Sequence, residues 1–204
     1  LLPMIDKNQI EANAIGLIHS YANSMHEEKI AERLLAARPD LSITLSSQVC
    51  PEIREYERQS TACANAYVQP LMSRYLTKLD EALQSMGFMC PFLLMTSGGG
   101  LTTLDTSIKF PVRLVESGPA GGAILATEIA KECGIDNVLS FDMGGTTAKI
   151  CLIDDYTPQM TRTFEVARVY RNLKGSGLPL RIPAIEMVEI GAGGGSIAKV
   201  DEMK

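Results

Sequence analysis

Residues 138–153 read Val138-Leu139-Ser140-Phe141-Asp142-Met143-Gly144-Gly145-Thr146-Thr147-Ala148-Lys149-Ile150-Cys151-Leu152-Ile153. Two β-rich runs are joined by Met143-Gly144-Gly145-Thr146, which predicts an antiparallel hairpin with glycines at its turn. Glycines let backbone N–H groups approach an anion closely. The hydroxyls of Thr146 and Thr147 can donate to phosphate oxygens. Asp142 closes the first strand, where a carboxylate suits a hydrated Mg²⁺ that keeps several waters. The Gly-x-x-x-x-Gly-Lys-Ser/Thr spacing of a P-loop is missing. On these residues alone, an ordinary Gly-Gly hairpin turn competes with a phosphate loop.

Working outward, Ser117-Gly118-Pro119 predicts a helix entry. Ser117 can cap it, and proline suits the first helical position. Unpaired N–H groups at such an end attract anions. The helix carries Ala120, Ala123, Ala126 and Ala130 on one side and ends at Gly134. Tight packing of these small residues against a sheet is the competing reading. Two apolar runs enter glycine loops: Phe92–Met95 into Ser97-Gly98-Gly99-Gly100, and Val188–Ile190 into Gly191-Ala192-Gly193-Gly194-Gly195-Ser196. Each ordered glycine costs roughly 0.5–1 kcal/mol relative to alanine. Close approach by a ligand or another chain segment explains such a cost, and a flexible loop is the alternative. Ser97, Gly98, Gly99, Gly193, Gly194 and Gly195 are therefore candidate phosphate-binding residues. Gly193-x-Gly195-x-x-Ala198 also fits a dinucleotide fingerprint, without the acidic residue expected about 20 positions later.

The N-terminal part alternates strand and helix. Ala14–Ile18 predicts a buried strand, and Ser24 with Glu27 a capping box. The helix that follows carries Ile30, Ala31, Leu34 and Leu35 and stops before Pro39. Leu41–Leu45 alternates as a half-buried strand does. Residues 52–86 are helical, with Met72, Leu76, Leu79, Leu83 and Met86 on one stripe. Pro70 should kink this segment or start a second helix, and Gly87 should cap it. Arg54-Glu55-Tyr56-Glu57-Arg58 reads as a solvated helix face, with a substrate contact by Arg54 or Arg58 as the alternative. His26 reads as surface. His19 ends a strand, with a structural or a catalytic role open. Strands alternating with helices argue for a layered α/β architecture, with the 137–153 hairpin in a three-layer lobe.

The 204 residues are 46% hydrophobic and 21% charged, which supports a packed core and excludes a disordered chain. The formal net charge of −5 argues against nucleic acid as a partner. No apolar run approaches the roughly 18 residues of a membrane span. The five cysteines lack Cys-x-x-Cys spacing and read as small buried hydrophobes in a reducing, cytoplasmic setting. The chain opens Leu-Leu-Pro and ends just after a glycine motif, which predicts an internal fragment of a longer protein.

Taken together, Leu17–Tyr21, Pro51–Arg58, Asn65–Val68, Met95–Gly100, Pro111–Gly122, Phe141–Lys149 and Val188–Ala198 resemble the hydantoinase A / 5-oxoprolinase family. That family includes ATP-hydrolysing N-methylhydantoinase and the large subunits of acetone-type carboxylases. The resemblance implies an actin/hexokinase-like (ribonuclease H-like) α/β ATPase lobe with a layered mixed sheet and flanking helices. Residues 1–204 would be an internal fragment of a hydantoinase A domain, with possible sub-lobes 1–90 and 91–204. Asp142, Gly144, Gly145, Thr146 and Thr147 would form its phosphate hairpin, with ATP and Mg²⁺ as cofactors and Asp142 as catalytic residue and metal ligand. The implied reaction is ATP-dependent hydrolysis of a cyclic amide of hydantoin or 5-oxoproline type through phosphoryl activation. A ketone carboxylase subunit, or a non-catalytic nucleotide-binding or assembly module, is the alternative. Implied partners are the missing lobes of the parent protein, a hydantoinase-B-type second subunit and a small cyclic amide substrate.

Overall fold

The N-terminal part is built on a parallel strand pair. The computed structural model describes all residues except Arg171, Asn172, Lys174, Ala198 and Val200–Lys204. Helix α1 (Leu2–Lys7) leads into β1 (Ala12–Ile15), α2 (Met25–Ala37) and β2 (Ser42–Leu45), and β1 and β2 pair in parallel. The β1–α2–β2 order is the crossover that parallel pairing demands. Strand β1 stops at Ile15, short of the predicted Ile18. A Cβ on Gly16 would come within 2.7 Å of the Gln59 side chain, so glycine lets the backbone pass close to the helix that carries Gln59, Glu55–Ser85. Ile5, Ile15, Leu34, Leu41 and Leu45 form the first core.

A short helix α3 (Ser46–Val49) precedes α4 (Glu55–Ser85), which runs unbroken through Pro70. Pro70 does not start a second helix: α4 remains one helix, and Leu76, beyond the proline, is buried. Its C-terminus closes with Gly87 at φ 88°, Gly87 N donating to Gln84 O and Phe88 N to Leu83 O. That is the double hydrogen-bond pattern of a left-handed cap. The predicted stripe is only partly used, since Leu76 is buried while Met86 is exposed.

The chain then forms the hairpin β3 (Leu93–Met95) and β4 (Leu101–Thr103), helix α5 (Leu104–Lys109), a 3₁₀ turn (Pro111–Leu114) and α6 (Ser117–Cys133). Next come β5 (Val138–Met143), β6 (Ala148–Asp154), β7 (Thr157–Pro158), β8 (Met160–Thr161), β9 (Phe164–Val166), β10 (Leu178–Leu180), β11 (Ala184–Ile185) and β12 (Val188–Ile190). Strands β12, β6 and β5 lie side by side, all antiparallel to their neighbours, and β7 also pairs with β6. Helix α6 covers one face of this sheet through Ala120 and Ala123 against Cys151 and Ile153. The fold is α/β as expected, but the described residues place a helix on only one face of this sheet rather than the two that a three-layer lobe has.

A middle core joins Val49, Cys50 and Ala62 to Val112, Leu180 and Ile182, so it draws on both sides of residue 90. Asn65, fully buried, donates to Thr44 Oγ1 and to Lys109 O and accepts from Val112 N, tying α4 to the segment before α6. Only Cys50 and Cys151 are buried; Cys63, Cys90 and Cys133 are exposed, contrary to the expectation of buried cysteines. No described helix is long and apolar enough to cross a membrane.

Candidate functional site

The 138–153 segment folds as the hairpin its sequence predicts, with Asp142 opposite Lys149 and Met143 opposite Ala148. Gly144 N donates to Thr147 O at 2.9 Å and closes the turn. The N–H groups of Gly145, Thr146 and Thr147 have no acceptor among the described residues. Asp142 is exposed and has no side-chain hydrogen bond or ion pair among them. Its cross-strand neighbour Lys149 pairs instead with Glu116. A carboxylate and three backbone donors therefore stand free at one end of the sheet.

The loop after β12 docks on that turn. Gly194 N donates to Gly144 O at 3.1 Å. A Cβ on Gly193 would lie 2.2 Å from Gly145 O and 2.7 Å from Thr146 N, so only glycine permits this approach. Ser196 locks the loop, its Oγ accepting from Gly193 N at 3.1 Å and its N donating to Gly193 O at 2.8 Å. Gly195 has open space around it, so packing does not account for it. Residues 191–197 contain no helix and follow an antiparallel strand, which removes the dinucleotide-fold reading of Gly193 and Gly195. That reading needs a helix opening after a parallel strand. Its third position, Ala198, lies outside the described residues.

Helix α6 begins beside the hairpin. The expected cap, Ser117, is already helical, and Glu116 holds the N-cap position at φ 59° without a side-chain cap bond. Its carboxylate is committed to Lys149, which ties the helix start to the hairpin stem. Ser117 and Gly118 thus sit at a helix N-terminus joined to the turn, and a Cβ on Gly118 would touch nothing within 4 Å.

Ser97–Gly99 has a different use. Ser97 is 2% exposed; its Oγ lies 2.8 Å from Arg113 O and 2.6 Å from Val115 O, and its carbonyl accepts from Ile185 N. Gly99 has φ 80°, and a Cβ there would meet Ile124 at 2.8 Å. Gly98 packs near Pro183 O. Packing accounts for these three residues, and the Ser97 hydroxyl is engaged by main-chain carbonyls inside the fold.

Sequence reasoning missed a buried polar centre beyond the ends of β1 and β2. Glu27 is not a capping residue. It is fully buried, and its carboxylate accepts from Leu17 N (2.9 Å), Ser46 Oγ (2.6 Å), Ser47 N (3.0 Å) and Ser47 Oγ (2.7 Å). Burial pushes its pKa up, but the bonds from Ser46, Ser47 and Leu17 outweigh that and hold it below the usual value. Ser24 donates instead to Glu28 at 2.6 Å. Arg58, expected on a solvated face, is also fully buried: Nε donates to Ser46 Oγ (3.2 Å), Nη1 to Glu52 O (2.9 Å) and Nη2 to Leu17 O (2.9 Å). Its guanidinium lies 5.4 Å from the Tyr21 ring centroid. Every strong donor and acceptor here is used internally, so this centre holds the fold together. His19 (φ 57°) and Arg54 (φ 80°) are exposed at its rim, and His26 is exposed as expected. The described residues contain no cluster of three or more His, Cys, Asp or Glu suited to a metal.

The hydantoinase/oxoprolinase family model matches residues 58–204. An uncharacterized protein of Methanocaldococcus jannaschii, MJ0964, is 40% identical over 202 residues, covering 98% of this chain and 30% of that protein. Caprolactamase subunit alpha of Pseudomonas jessenii is 34% identical over 196 residues, covering 96% of this chain and 27% of the subunit. The crystal structure of the ATP-dependent caprolactamase from that organism superposes with a TM-score of 0.80 at 31% identity, over 98% of this chain and 28% of that one. A nucleotide-free acetone carboxylase structure, from work on ATP-dependent acetone carboxylation, superposes with a TM-score of 0.76 at 25% identity, over 98% of this chain and 27% of that one. The chain thus spans less than a third of the length of these relatives.

Proposed function

Because the chain belongs to the hydantoinase/oxoprolinase family, we propose that it supplies a phosphate-binding part of an enzyme for ATP-dependent hydrolysis of cyclic amides. The observation that carries this reading is the docking of two glycine loops, Gly193–Gly194 on Gly144–Gly145, beside the free carboxylate of Asp142. Phosphate oxygens need several convergent donors, and the N–H groups of Gly145, Thr146 and Thr147 with the two Thr hydroxyls are of that kind. Gly194 and Gly195 flank the same turn, and the α6 N-terminus with Ser117 and Gly118 adds positive potential near it. Ser97, Gly98 and Gly99 take no part in this reading, because packing accounts for them.

The donor set also fits Mg²⁺. The one exposed carboxylate at this turn, that of Asp142, suits an ion that keeps its waters and is otherwise held by phosphates. Asp142 would hold it through that oxygen. When bound, Mg·ATP supplies the phosphoryl group that turns an amide oxygen into a leaving group. The chain's own contribution is positional: Gly193 keeps the turn in place by contact, and Lys149–Glu116 fixes the stem on which Asp142 stands. The remaining parts of the parent polypeptide and a second subunit would complete the site.

The test is Asp142→Asn in the full-length parent, with ATP turnover and melting temperature measured together. Loss of one preorganised electrostatic group costs roughly 2.7–4 kcal/mol in the transition state, so turnover should fall at least about 10²-fold with melting unchanged. Wild-type turnover in Asp142→Asn would leave Asp142 as a turn residue only and sink the reading. A ketone carboxylase role is the second reading, favoured by the acetone carboxylase likeness. Stimulation of ATP turnover by acetone with bicarbonate, and not by lactam, hydantoin or 5-oxoproline, would select it.

A further inference from the structure

One rung of the β12–β6–β5 sheet carries charge on all three strands: Lys149 lies between Asp142 on β5 and Glu189 on β12. Alternation along β6 puts this rung on the face that α6 covers, in step with the buried Cys151 and Ile153. Ala120 and Ala123 pack against those two residues, while Glu116 at the helix N-cap meets Lys149. The start of α6 therefore lies at the turn end of the sheet. Cross-strand neighbours stand roughly 5 Å apart at Cβ, close enough for Lys149 to pair with Asp142. It pairs with Glu116 instead. Glu116 holds this position in the left-handed region, at φ 59°, which a non-glycine residue adopts at a cost. The Asp142 carboxylate is thereby left free. The Lys149 ammonium has three N–H donors and uses one of them among the described residues, with its side chain still 16% exposed.

We infer that Lys149 is a further phosphate-binding residue, an ammonium that Glu116 positions to reach a phosphate held at the 144–147 turn. The inference rests on the phosphate reading of that turn. Lys149 follows Thr147 by two residues, about 7 Å of strand, and its flexible four-carbon stem brings the charge into that range. Lysine meets phosphate as a point charge and does not need the paired geometry that arginine uses. The rung itself calls for such a charge. Asp142, Glu189 and Glu116 surround one ammonium with three carboxylates, and each of them repels a phosphate brought to the turn. Mg²⁺ on Asp142 would offset part of that repulsion, and Lys149 is the one cation of the rung that offsets the rest. Its two remaining donors let it keep Glu116 while it takes a phosphate oxygen, so no ion pair has to break. A brace for the hairpin stem needs only the contact with Glu116. It needs neither the spare donors nor an ammonium at the turn end of the sheet.

Binding of Mg·ATP to the full-length polypeptide, measured by titration calorimetry, tests this. Lys149→Met should weaken binding at least about tenfold, the scale of losing a hydrogen bond to a charged group. Glu116→Gln breaks the same ion pair but keeps the ammonium, so its loss should be the smaller of the two. Equal losses in Lys149→Met and Glu116→Gln would overturn the inference, because a brace fails alike from either end. So would wild-type affinity in Lys149→Met. If Lys149→Met does not fold, acetylation of the unaltered protein decides. Saturating Mg·ATP should slow the reaction at Lys149, read by peptide mass spectrometry, and an unchanged rate would overturn the inference. A full-length protein that does not bind Mg·ATP sinks the phosphate reading and this inference together. Binding that is indifferent to Lys149 sinks this inference alone.

Discussion

Two polar regions of this molecule use similar chemistry for opposite ends. Around Glu27, Ser46, Ser47 and Arg58, each strong donor and acceptor finds its partner inside the chain, and both charged side chains are fully buried. At the hairpin turn, the Asp142 carboxylate and three successive N–H groups have none among the described residues. Charge that is fully satisfied internally determines shape. Charge and donors held rigidly but left unsatisfied are available to a ligand. The contrast identifies 142–147, and not the more elaborate buried network, as the candidate site.

The largest expected effect breaks the buried side of the comparison. Arg58→Met should cost about 3–5 kcal/mol of stability, because it leaves Ser46 Oγ and the carbonyls of Glu52 and Leu17 without their buried donor, at roughly 1–3 kcal/mol each. Urea unfolding should show this as a lower midpoint with an unchanged slope, and a midpoint within error of wild type would refute the structural role. Asp142→Asn, by contrast, should leave that midpoint where it is while removing turnover, so the two substitutions separate stability from activity.

A smaller effect sharpens the comparison within the site. Gly193→Ala forces a methyl group against the Gly145 carbonyl, and overpacking of this kind costs about 1–3 kcal/mol unless the loop moves away. Either outcome should weaken nucleotide binding in the full-length protein, measured by titration calorimetry. Gly195→Ala has open space and no positive φ to contend with, so its melting temperature should match wild type. Equal behaviour of the two variants would remove the case for the docked loops.

The pH dependence follows from Glu27. Its folded pKa lies below the usual glutamate value of 4.5. Its contribution is therefore complete above about that pH and is lost as pH falls through the lower, folded value. Chemical denaturation between pH 7 and pH 3 should show a loss of stability at the acid end that is reduced in Glu27→Gln. The smallest effect expected is that of Thr146→Ala, which removes a neutral donor and leaves Asp142 in place. Its turnover should fall by less than about tenfold.

The hairpin was legible because everything that makes it is local: strand residues, two glycines and a terminal carboxylate within sixteen positions. The caps at Gly87 and Gly134 were legible for the same reason, since a left-handed helix terminus selects glycine. Glu27 was misread because Ser24-x-x-Glu27 is also a local signal, and nothing in the sequence shows that Ser46 and Ser47, some twenty residues away, wait with three of its four hydrogen bonds. Arg58 was misread because a charged run looks solvated until the loops that cover it are in place.

By itself, the sequence determined the alternation of helices and strands, the hairpin with a carboxylate at its turn, and the family to which the chain belongs, because these depend on residue type and short spacing. Only the tertiary structure decided which glycine loop serves which purpose. Gly99 packs on Ile124 and Gly193 on Gly145, while Gly195 touches nothing. Spacing along the chain cannot distinguish these cases. The space around a missing Cβ is set by residues tens of positions away, and those contacts exist only once the chain has folded.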